Sequence, residues 1–320
     1  MKILYIHSNN KDNQFYNDYM NDLLLHGLRD IYGAEVIDYP GCWYLYRDEI
    51  NKREYNEKNF WGKGFTIKNI LDDFNLIDRD NISQKIKNRY FDLVIYGSIR
   101  RTDTFLDDVI KYNNKFIFID GEDDNNIEKK YSNLGLYFKR ELVSNKPNIL
   151  PINFAIPKSK IIDKIDQNPK NLLAPLIPGK LNTYIYDDES TYYEMYKKSI
   201  FALTYKKAGW DCLRHYEILM NGCIPLFLDI KNCPKETIKT LPKDRLIRVL
   251  NEFENIFSFY NPLRIFKKKY ITLRRLFSLF LFKSEKAKLD FLKNDDLILN
   301  LKDELLDYTK KNLTTEDLAK

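Results

Sequence analysis

Residues 200–229 read IFALTYKKAGWDCLRHYEILMNGCIPLFLD, a pattern of strand, charged turn, helix and strand. Apolar, β-rich runs occupy 200–204 and 224–228, and Gly222 follows the helix-patterned segment 210–221 as a C-terminal stop. Two parallel strands joined by a crossover helix bring the end of the first strand and the start of the helix to one edge of a sheet. Because α/β proteins bind anions and nucleotides at that edge, the pattern predicts an α/β fold with an anion site.

Two charged side chains of this helix, Arg214 and Glu217, are three residues apart and therefore neighbours on one face. A guanidinium near the start of a helix can hold a diphosphate by bidentate hydrogen bonds, helped by the positive end of the helix dipole. A carboxylate one turn later can accept hydrogen bonds from both hydroxyls of a ribose. The structural alternative is an ordinary ion pair on a solvated helix face.

This segment resembles the donor-binding segment of GT-B glycosyltransferases, particularly exostosin-like ones. Their pattern is a basic residue, a glycine turn, an arginine, a glutamate and then GCIP leading into a strand. It is carried here by Lys207, Gly209, Trp210, Arg214, Glu217, Gly222, Cys223, Ile224 and Pro225. The match covers roughly thirty residues, about a tenth of the chain. The resemblance implies a donor site with Arg214 and Lys206 or Lys207 on the diphosphate and Glu217 on the ribose.

The length of the chain and its alternation of strand and helix signals predict two domains, because 320 residues exceed the usual single core. We expect an acceptor-binding Rossmann-like domain over 1–160 and a nucleotide-sugar-binding Rossmann-like domain over 161–320, the latter ending in a helical region. Two doubly wound domains facing a cleft form the GT-B arrangement. In the second half, the pattern also predicts a strand at 182–186, a helix at 235–240 and a strand at 245–249.

Composition narrows the classes of protein that fit this chain. Hydrophobic residues make up 44% and aromatic residues 14%, so the bulk of the chain can form packed cores and is not disordered. The net charge of +6 suits small anionic ligands or an anionic membrane face and is too diffuse for nucleic acid. The four cysteines lack paired spacing, the N-terminal apolar run is too short for a signal peptide, and no run is long enough to span a bilayer. We therefore expect a cytoplasmic protein.

If the donor binds in the second half, the acceptor and any catalytic base come from loops of the first. Inverting sugar transfer, which we expect, needs a group that takes the proton of the acceptor hydroxyl, whereas retaining enzymes of this fold need none. The candidates are Asp120, Glu122 and Asp123 in an acidic cluster with Asp124, and His7 at the end of the first strand. Crowding of carboxylates is expected to raise at least one pKa. The structural alternatives are a solvated turn capping the next helix and a hydrogen-bonded structural histidine.

Four further polar residues are candidates for acceptor binding: Ser8, Asn9, Arg100 and Arg101. For the two arginines the alternative is a solvated pair. Neither the acidic cluster nor 187–188 forms the D-x-D pair that holds a divalent ion in GT-A transferases. We expect no cofactor and no metal requirement, because a helix N-terminus with Lys and Arg can neutralise the leaving group. Loss of activity in EDTA would contradict this expectation.

Residues 263–283 interleave Arg and Lys with Ile, Leu, Phe and Tyr. This composition is typical of a basic amphipathic helix on an anionic bilayer, which would suit peripheral membrane contact and a lipid-linked glycan acceptor. The alternative is a helix that crosses back to pack on the first domain, since its apolar positions follow a stripe suited to protein contact.

Together these features favour a glycosyltransferase that moves a sugar from a nucleoside diphosphate sugar to a hydroxyl of a glycan acceptor, in surface polysaccharide or glycoconjugate synthesis. Two alternatives stay open. A nucleotide-sugar epimerase or hydrolase on the same scaffold would release an isomer or free sugar without any acceptor. A non-catalytic nucleotide- or glycan-binding module would bind the donor without turnover.

Overall fold

The computed structural model describes residues 1–8, 17–253, 289–290 and 292–320. Within these ranges the chain forms two parallel sheets, one of six strands and one of three, with helices between the strands. The predicted α/β class is therefore confirmed. No helix in the described ranges combines the length and apolar character needed to cross a membrane. Asn9 and the basic segment 263–283 lie outside the described residues.

The first sheet contains the strands of the N-terminal half. These are β1 (Ile3–Ile6), β2 (Val36–Tyr39), β3 (Leu93–Tyr96), β4 (Phe116–Asp120), β5 (Leu136–Lys139) and β6 (Ile149–Pro151). Their spatial order is β2-β1-β3-β4-β5-β6, and every neighbouring pair is parallel. All four residues of β1 are buried, as expected for a central strand covered on both faces. The order reverses between β1 and β3, so a topological switch point lies at the carboxyl ends of these strands.

Helices α1 (Tyr19–Tyr32), α2 (Arg47–Ile50), α3 (Ile82–Lys87), α4 (Leu106–Tyr112) and α5 (Lys129–Ser132) accompany this sheet. The first of them shows why the local sequence folds as it does. The Asp18 carboxylate accepts a hydrogen bond from the Asn21 N–H and caps the start of α1. Gly33, with a φ of 57°, ends the helix in a backbone conformation that costs glycine little. Asp18 is thereby fixed at the sheet edge where the strands end.

The second sheet contains β7 (Asn171–Leu173), β8 (Ser199–Thr204) and β9 (Ile224–Phe227), in that order and parallel. Its helices are α6 (Glu189–Lys197), α7 (Leu213–Met220) and α8 (Lys243–Phe253). The strand–helix–strand unit predicted over 200–229 is confirmed as β8, α7 and β9. Gly222 has a φ of 65° and ends α7, as predicted.

Three predicted elements of the second half are wrong. Residues 182–186 form no strand; a short 3-10 turn at Leu181–Thr183 begins the segment, and β7, which was not predicted, is the edge strand. Residues 245–249 belong to α8. Leu246, Val249 and Leu250 are buried and have the spacing of one helix face, which strand alternation does not give. Residues 235–240 form turns and bends rather than a helix.

The described chain ends in helices α9 (Asp296–Asn312) and α10 (Thr315–Ala319). Helix α9 packs against α7, and α10 packs against α1 of the first half. The Ile156 N–H donates to the Leu313 carbonyl at 2.8 Å, and the Thr315 N–H donates to the Ile156 carbonyl at 3.0 Å. Residues 313–319 therefore return the chain to the N-terminal half.

Candidate functional site

A cleft of about 630 Å³ lies between loops at the carboxyl ends of the strands of both halves. The first half contributes Asp18, Trp61, Arg101, Glu122, Asp123 and Arg140, among others. The second half contributes Tyr184, Tyr192, Lys207, Asp211, Arg214 and Glu217. The cleft thus includes the donor-binding candidates Lys207, Gly209, Arg214 and Glu217 together with the acidic candidates Glu122 and Asp123.

The turn between β8 and α7 is held by carboxylates from both halves. The Lys206 N–H donates to the Asp229 carboxylate at 3.1 Å. The Glu141 carboxylate, from the first half, accepts the Trp210 N–H at 3.0 Å and the Asp211 N–H at 2.9 Å. These bonds satisfy backbone donors that precede the helix and fix the position of α7 relative to the cleft.

Gly209 is required by the close approach of Glu141 to this turn. A Cβ at Gly209 would lie 2.5 Å from Glu141 Oε1 and 2.9 Å from its carboxyl carbon. Real Cβ atoms do not come so close to other heavy atoms, so any larger side chain would displace the turn or the carboxylate. The predicted glycine turn is present, and its physical reason is contact with the other half of the chain.

Lys207 and Arg214 meet at the hydroxyl of Tyr184. Lys207 Nζ lies 3.4 Å from this oxygen and Arg214 Nη2 lies 3.2 Å from it. Burial raises the pKa of Tyr184, but the charge of Arg214, a hydrogen bond from Gly179 and the charge of Lys207 together bring it below its usual value. The cleft wall at this point is therefore strongly positive.

Neither cation has a carboxylate within ion-pair distance among the residues that the structure describes. Nε and Nη1 of Arg214 are buried and make no hydrogen bond with the described part of the chain. The structural alternative, an ion pair between Arg214 and Glu217, does not form there either. Two unpaired cations on a cleft wall, one with two free donor nitrogens, are the arrangement that an anionic ligand completes.

The start of α7 lies at the same wall, through Cys212, Leu213 and Arg214. Cys212 is the residue before the helix, and its side chain makes no capping hydrogen bond. The helix dipole adds to the positive potential of the two cations. A phosphate group is the ligand that such a helix start favours.

Glu217 lies one turn further on, at the cleft wall and only 6% exposed. Its Oε1 accepts the Thr66 hydroxyl at 2.7 Å, and its Oε2 accepts the Tyr192 hydroxyl at 2.6 Å. Burial raises its pKa, partly offset by these two hydrogen bonds. Each carboxylate oxygen can accept a second hydrogen bond, so the group retains capacity for a ligand hydroxyl.

The acidic cluster after β4 is divided between the cleft and the protein interior. Asp120 is buried, 2.9 Å from Lys139 Nζ, accepts the Tyr137 hydroxyl at 2.5 Å and does not line the cleft. Glu122 and Asp123 do line it, paired with Arg101 and Arg140 respectively.

The expected rise of a carboxylate pKa does not occur at Glu122 or Asp124. Burial raises the pKa of Glu122, but the hydrogen bond and charge of Arg101 lower it below its usual value. The hydrogen bonds from Arg100 likewise lower the pKa of Asp124. At these two residues the prediction was wrong because each carboxylate has an arginine partner that the local sequence did not reveal.

Among the remaining predicted residues that the structure describes, all lie off the cleft except Arg101. His7 is buried beside Asp22 and Cys42, and Ser8 accepts a hydrogen bond from the Asn21 side chain. Arg100 pairs with Asp124, whereas Arg101 lines the cleft and contacts Asp18 at 3.1 Å.

Lys206 and Trp210 also lie outside the cleft lining. Lys206 Nζ stacks over the Trp210 ring at 5.3 Å, and that ring faces Phe227 with its centroid 6.5 Å away. These two residues support the turn rather than the cleft wall.

Sequence reasoning missed the aromatic part of the cleft. Trp61, Phe65, Tyr184, Tyr186 and Tyr192 line it, and Trp61 remains 65% exposed. The Trp61 backbone is fixed, since its N–H donates to Asn17 and its carbonyl accepts from the Tyr19 hydroxyl. The many tyrosines offered no pattern by which to choose among them; a Trp-Gly-Lys-Gly run at 61–64 was the one local signal.

Comparison of this chain with protein-family models finds no match, and comparison with curated protein sequences finds none either.

Proposed function

We propose that this chain is a two-domain glycosyltransferase of the GT-B type that moves a sugar from a nucleoside diphosphate sugar to a hydroxyl of a glycan acceptor. The observation that carries the proposal is the pair of unpaired cations, Lys207 and Arg214, beside the start of α7. A diphosphate needs two or more positive groups and several N–H donors, and this wall offers both.

The geometry also supports positions for the rest of the donor. Glu217, one helical turn from Arg214, is placed to accept ribose hydroxyls while Thr66 and Tyr192 hold its carboxylate. The aromatic rings of the cleft give flat apolar surfaces for a base and a sugar ring. The leaving diphosphate is then neutralised by Arg214, Lys207 and the helix start, without a metal ion.

Asp123 is the acidic candidate best placed to act as the base in an inverting transfer. It lines the cleft from the half opposite Arg214, and its side chain is 57% exposed, so an acceptor hydroxyl can reach it. Glu122 also lines the cleft, but it pairs with Arg101 and its side chain is only 27% exposed. Asp120 and His7 lie off the cleft, and we do not assign them this role.

Two residues of the cleft support a position for the acceptor. Arg101 and the exposed Trp61 lie where an acceptor would enter from the first half. A role in surface polysaccharide or glycoconjugate synthesis, in the cytoplasm, follows from the same proposal.

A thermal-shift screen of uridine, guanosine, adenosine and thymidine diphosphates tests the donor site. A diphosphate at a hundred times its Kd stabilises the folded state by about 2.7 kcal/mol and raises Tm accordingly. Arg214→Ala should lose most of that shift. The matched control is Arg248→Ala, which removes an exposed arginine of α8 that pairs with Glu304 of α9. This variant should keep the shift.

Equal shifts for wild type and Arg214→Ala would contradict the proposed site, as would no shift with any diphosphate. Release of free sugar from a nucleotide sugar at full rate without an acceptor would instead favour a hydrolase.

A further inference from the structure

Away from the cleft, three side chains with metal-binding atoms converge at the edge of the first sheet. His7 follows β1, Cys42 lies beyond β2, and Asp22 is in the first turn of α1. All three are buried, with 1% or less of each residue exposed. In the part of the chain that the structure describes, they form the one cluster of three or more His, Cys, Asp or Glu with ligand atoms close enough to share an ion.

The distances among the three atoms fit the first coordination sphere of a transition metal. His7 Nε2 lies 2.9 Å from Asp22 Oδ1 and 3.2 Å from Cys42 Sγ, and Cys42 Sγ lies 3.8 Å from Asp22 Oδ1. A triangle with these sides has a circumscribed circle of radius about 2 Å, so one point lies that far from all three atoms. Zinc binds His nitrogen and Asp oxygen at about 2.0 to 2.2 Å and Cys sulfur at about 2.3 Å. An ion slightly out of the plane of the three atoms satisfies these bond lengths.

We propose that His7, Asp22 and Cys42 bind one zinc ion. The donor set of imidazole, carboxylate and thiolate is the one that zinc takes in proteins. Binding releases the Cys42 thiol proton and any proton on His7 Nε2. The thiolate and the carboxylate then balance the double positive charge, so the buried site is neutral overall.

The surrounding hydrogen bonds orient two of the three ligands. The Tyr44 hydroxyl donates to Asp22 Oδ1 at 2.7 Å, and the Asp18 N–H donates to Asp22 Oδ2 at 3.1 Å. The Cys42 N–H donates to the Asp38 carboxylate at 2.9 Å. Such outer contacts fix ligand orientation in metal sites and affect metal affinity.

The ion has a structural role. It joins the ends of β1 and β2 to α1, and Asp18, which caps α1 and contacts Asp22, lines the cleft. The ion lies off the cleft and takes no part in the proposed sugar transfer. That the transfer needs no added metal is a separate expectation.

The test is the metal content of the full chain purified from a zinc-supplemented culture and measured by inductively coupled plasma mass spectrometry. We expect about one zinc per chain in the wild type and little in Cys42→Ser or His7→Ala. The matched control is Cys223→Ser, which changes a buried cysteine whose Sγ contacts the Ile200 carbonyl. Replacement by cobalt should give a thiolate-to-cobalt absorption band that Cys223→Ser keeps and Cys42→Ser loses.

Tyr44→Phe tests the site without removing a ligand, so the test does not depend on whether Cys42→Ser and His7→Ala fold. It removes one hydroxyl and leaves all three ligands. It should retain the secondary structure seen by circular dichroism and weaken zinc affinity by about 10- to 100-fold, as measured by competition with a chelating indicator. Zinc-free wild-type protein, or zinc that remains in full in Cys42→Ser, would overturn the proposal.

Discussion

Asp211 shows how burial sets the charge of a single cleft residue. It precedes α7, is 3% exposed, and accepts hydrogen bonds from the Phe154 N–H at 2.8 Å and the Tyr216 hydroxyl at 2.9 Å. Burial raises its pKa to about 7, although the charge of Arg140 and both hydrogen bonds act in the opposite direction. A carboxyl group that binds a proton near neutral pH couples the stability of this loop to pH.

The sign of that coupling gives a prediction for Asp211→Asn. Between pH 3.8 and about 7 the folded carboxyl keeps a proton that the unfolded one has lost. The group therefore favours the folded state at low pH, and this contribution is lost as pH rises through the window, by at most about 1.4 kcal/mol per pH unit. Asp211→Asn lacks the ionisation, so the wild-type free energy of unfolding should fall relative to the variant from pH 4 to pH 7. Urea titrations across this range measure it, and parallel curves would contradict it.

Asp123 carries a separate prediction about catalysis. If it takes the proton of the acceptor hydroxyl, Asp123→Asn should lower kcat of sugar transfer by about 100-fold or more. The Tm shift with nucleoside diphosphate should stay, because Asp123 pairs with Arg140 and not with Lys207 or Arg214. The control is Asp124→Asn, which changes the neighbouring carboxylate paired with Arg100 and off the cleft. Wild-type kcat in Asp123→Asn would exclude this residue as the base.

At the scale of elements, the turn before α7 depends on the Glu141 carboxylate, which lies just beyond the end of β5 in the other half. Glu141 accepts two backbone N–H groups of this turn, and Gly209 leaves the space that its carboxylate occupies. The position of the helix start, and hence of Arg214, follows from this packing. The anion site is therefore built by both halves, although its cations come from one.

A double-mutant cycle tests this dependence. Gly209→Ala should destabilise the fold by about 1 to 3 kcal/mol through overpacking and reduce the nucleotide Tm shift. Glu141→Ala should cost about 1 to 3 kcal/mol because two buried N–H groups lose their acceptor. In the Glu141→Ala background the added methyl keeps only the looser contact with Asp123 Oδ1, at 3.1 Å, so Gly209→Ala should cost less there. Purely additive free energies, from urea unfolding of all four proteins, would show that the two residues do not interact.

The sequence predicted elements well where one local pattern contained the whole reason for the structure. Unit β8–α7–β9 has its strands, turn glycine and stop glycine within thirty residues, so Arg214 and Glu217 were placed correctly. Thr66, which donates to Glu217 from 151 residues away, had no local signal. The strand predicted at 245–249 failed because this short run with Leu246, Ile247 and Val249 was considered by itself, whereas the buried stripe of α8 extends to Phe253. The different positions of Asp120 and Asp123 had no local signal either, since their partners Lys139 and Arg140 come from the end of β5.

At the scale of the whole molecule, contacts between the halves surround the cleft. Lys63 of the first half donates to the Tyr186 carbonyl at 2.7 Å, and the Thr66 N–H donates to the Glu189 carboxylate at 2.6 Å. The Thr237 hydroxyl donates to the Leu142 carbonyl at 2.7 Å on another side. These bonds, together with the return of α10 to α1, restrict how far the two cleft walls can separate.

Gly27 gives a direct test of that return. It lies on the face of α1 that contacts α10, and a Cβ there would overlap the Thr315 carbonyl oxygen. Gly27→Ala should therefore displace α10, break the bond between His26 and Thr315, and lower the free energy of unfolding by about 1 to 3 kcal/mol. An alanine in a helix is otherwise favourable by about 1 kcal/mol relative to glycine, so destabilisation can only come from the lost contact. Ile31→Ala, at a partly exposed site of the same helix, is the control and should change stability little. If urea unfolding shows Gly27→Ala to be more stable than the wild type, α10 does not dock on α1 in solution, and the cleft walls are held by other contacts between the halves, such as those at Lys63, Thr66 and Thr237.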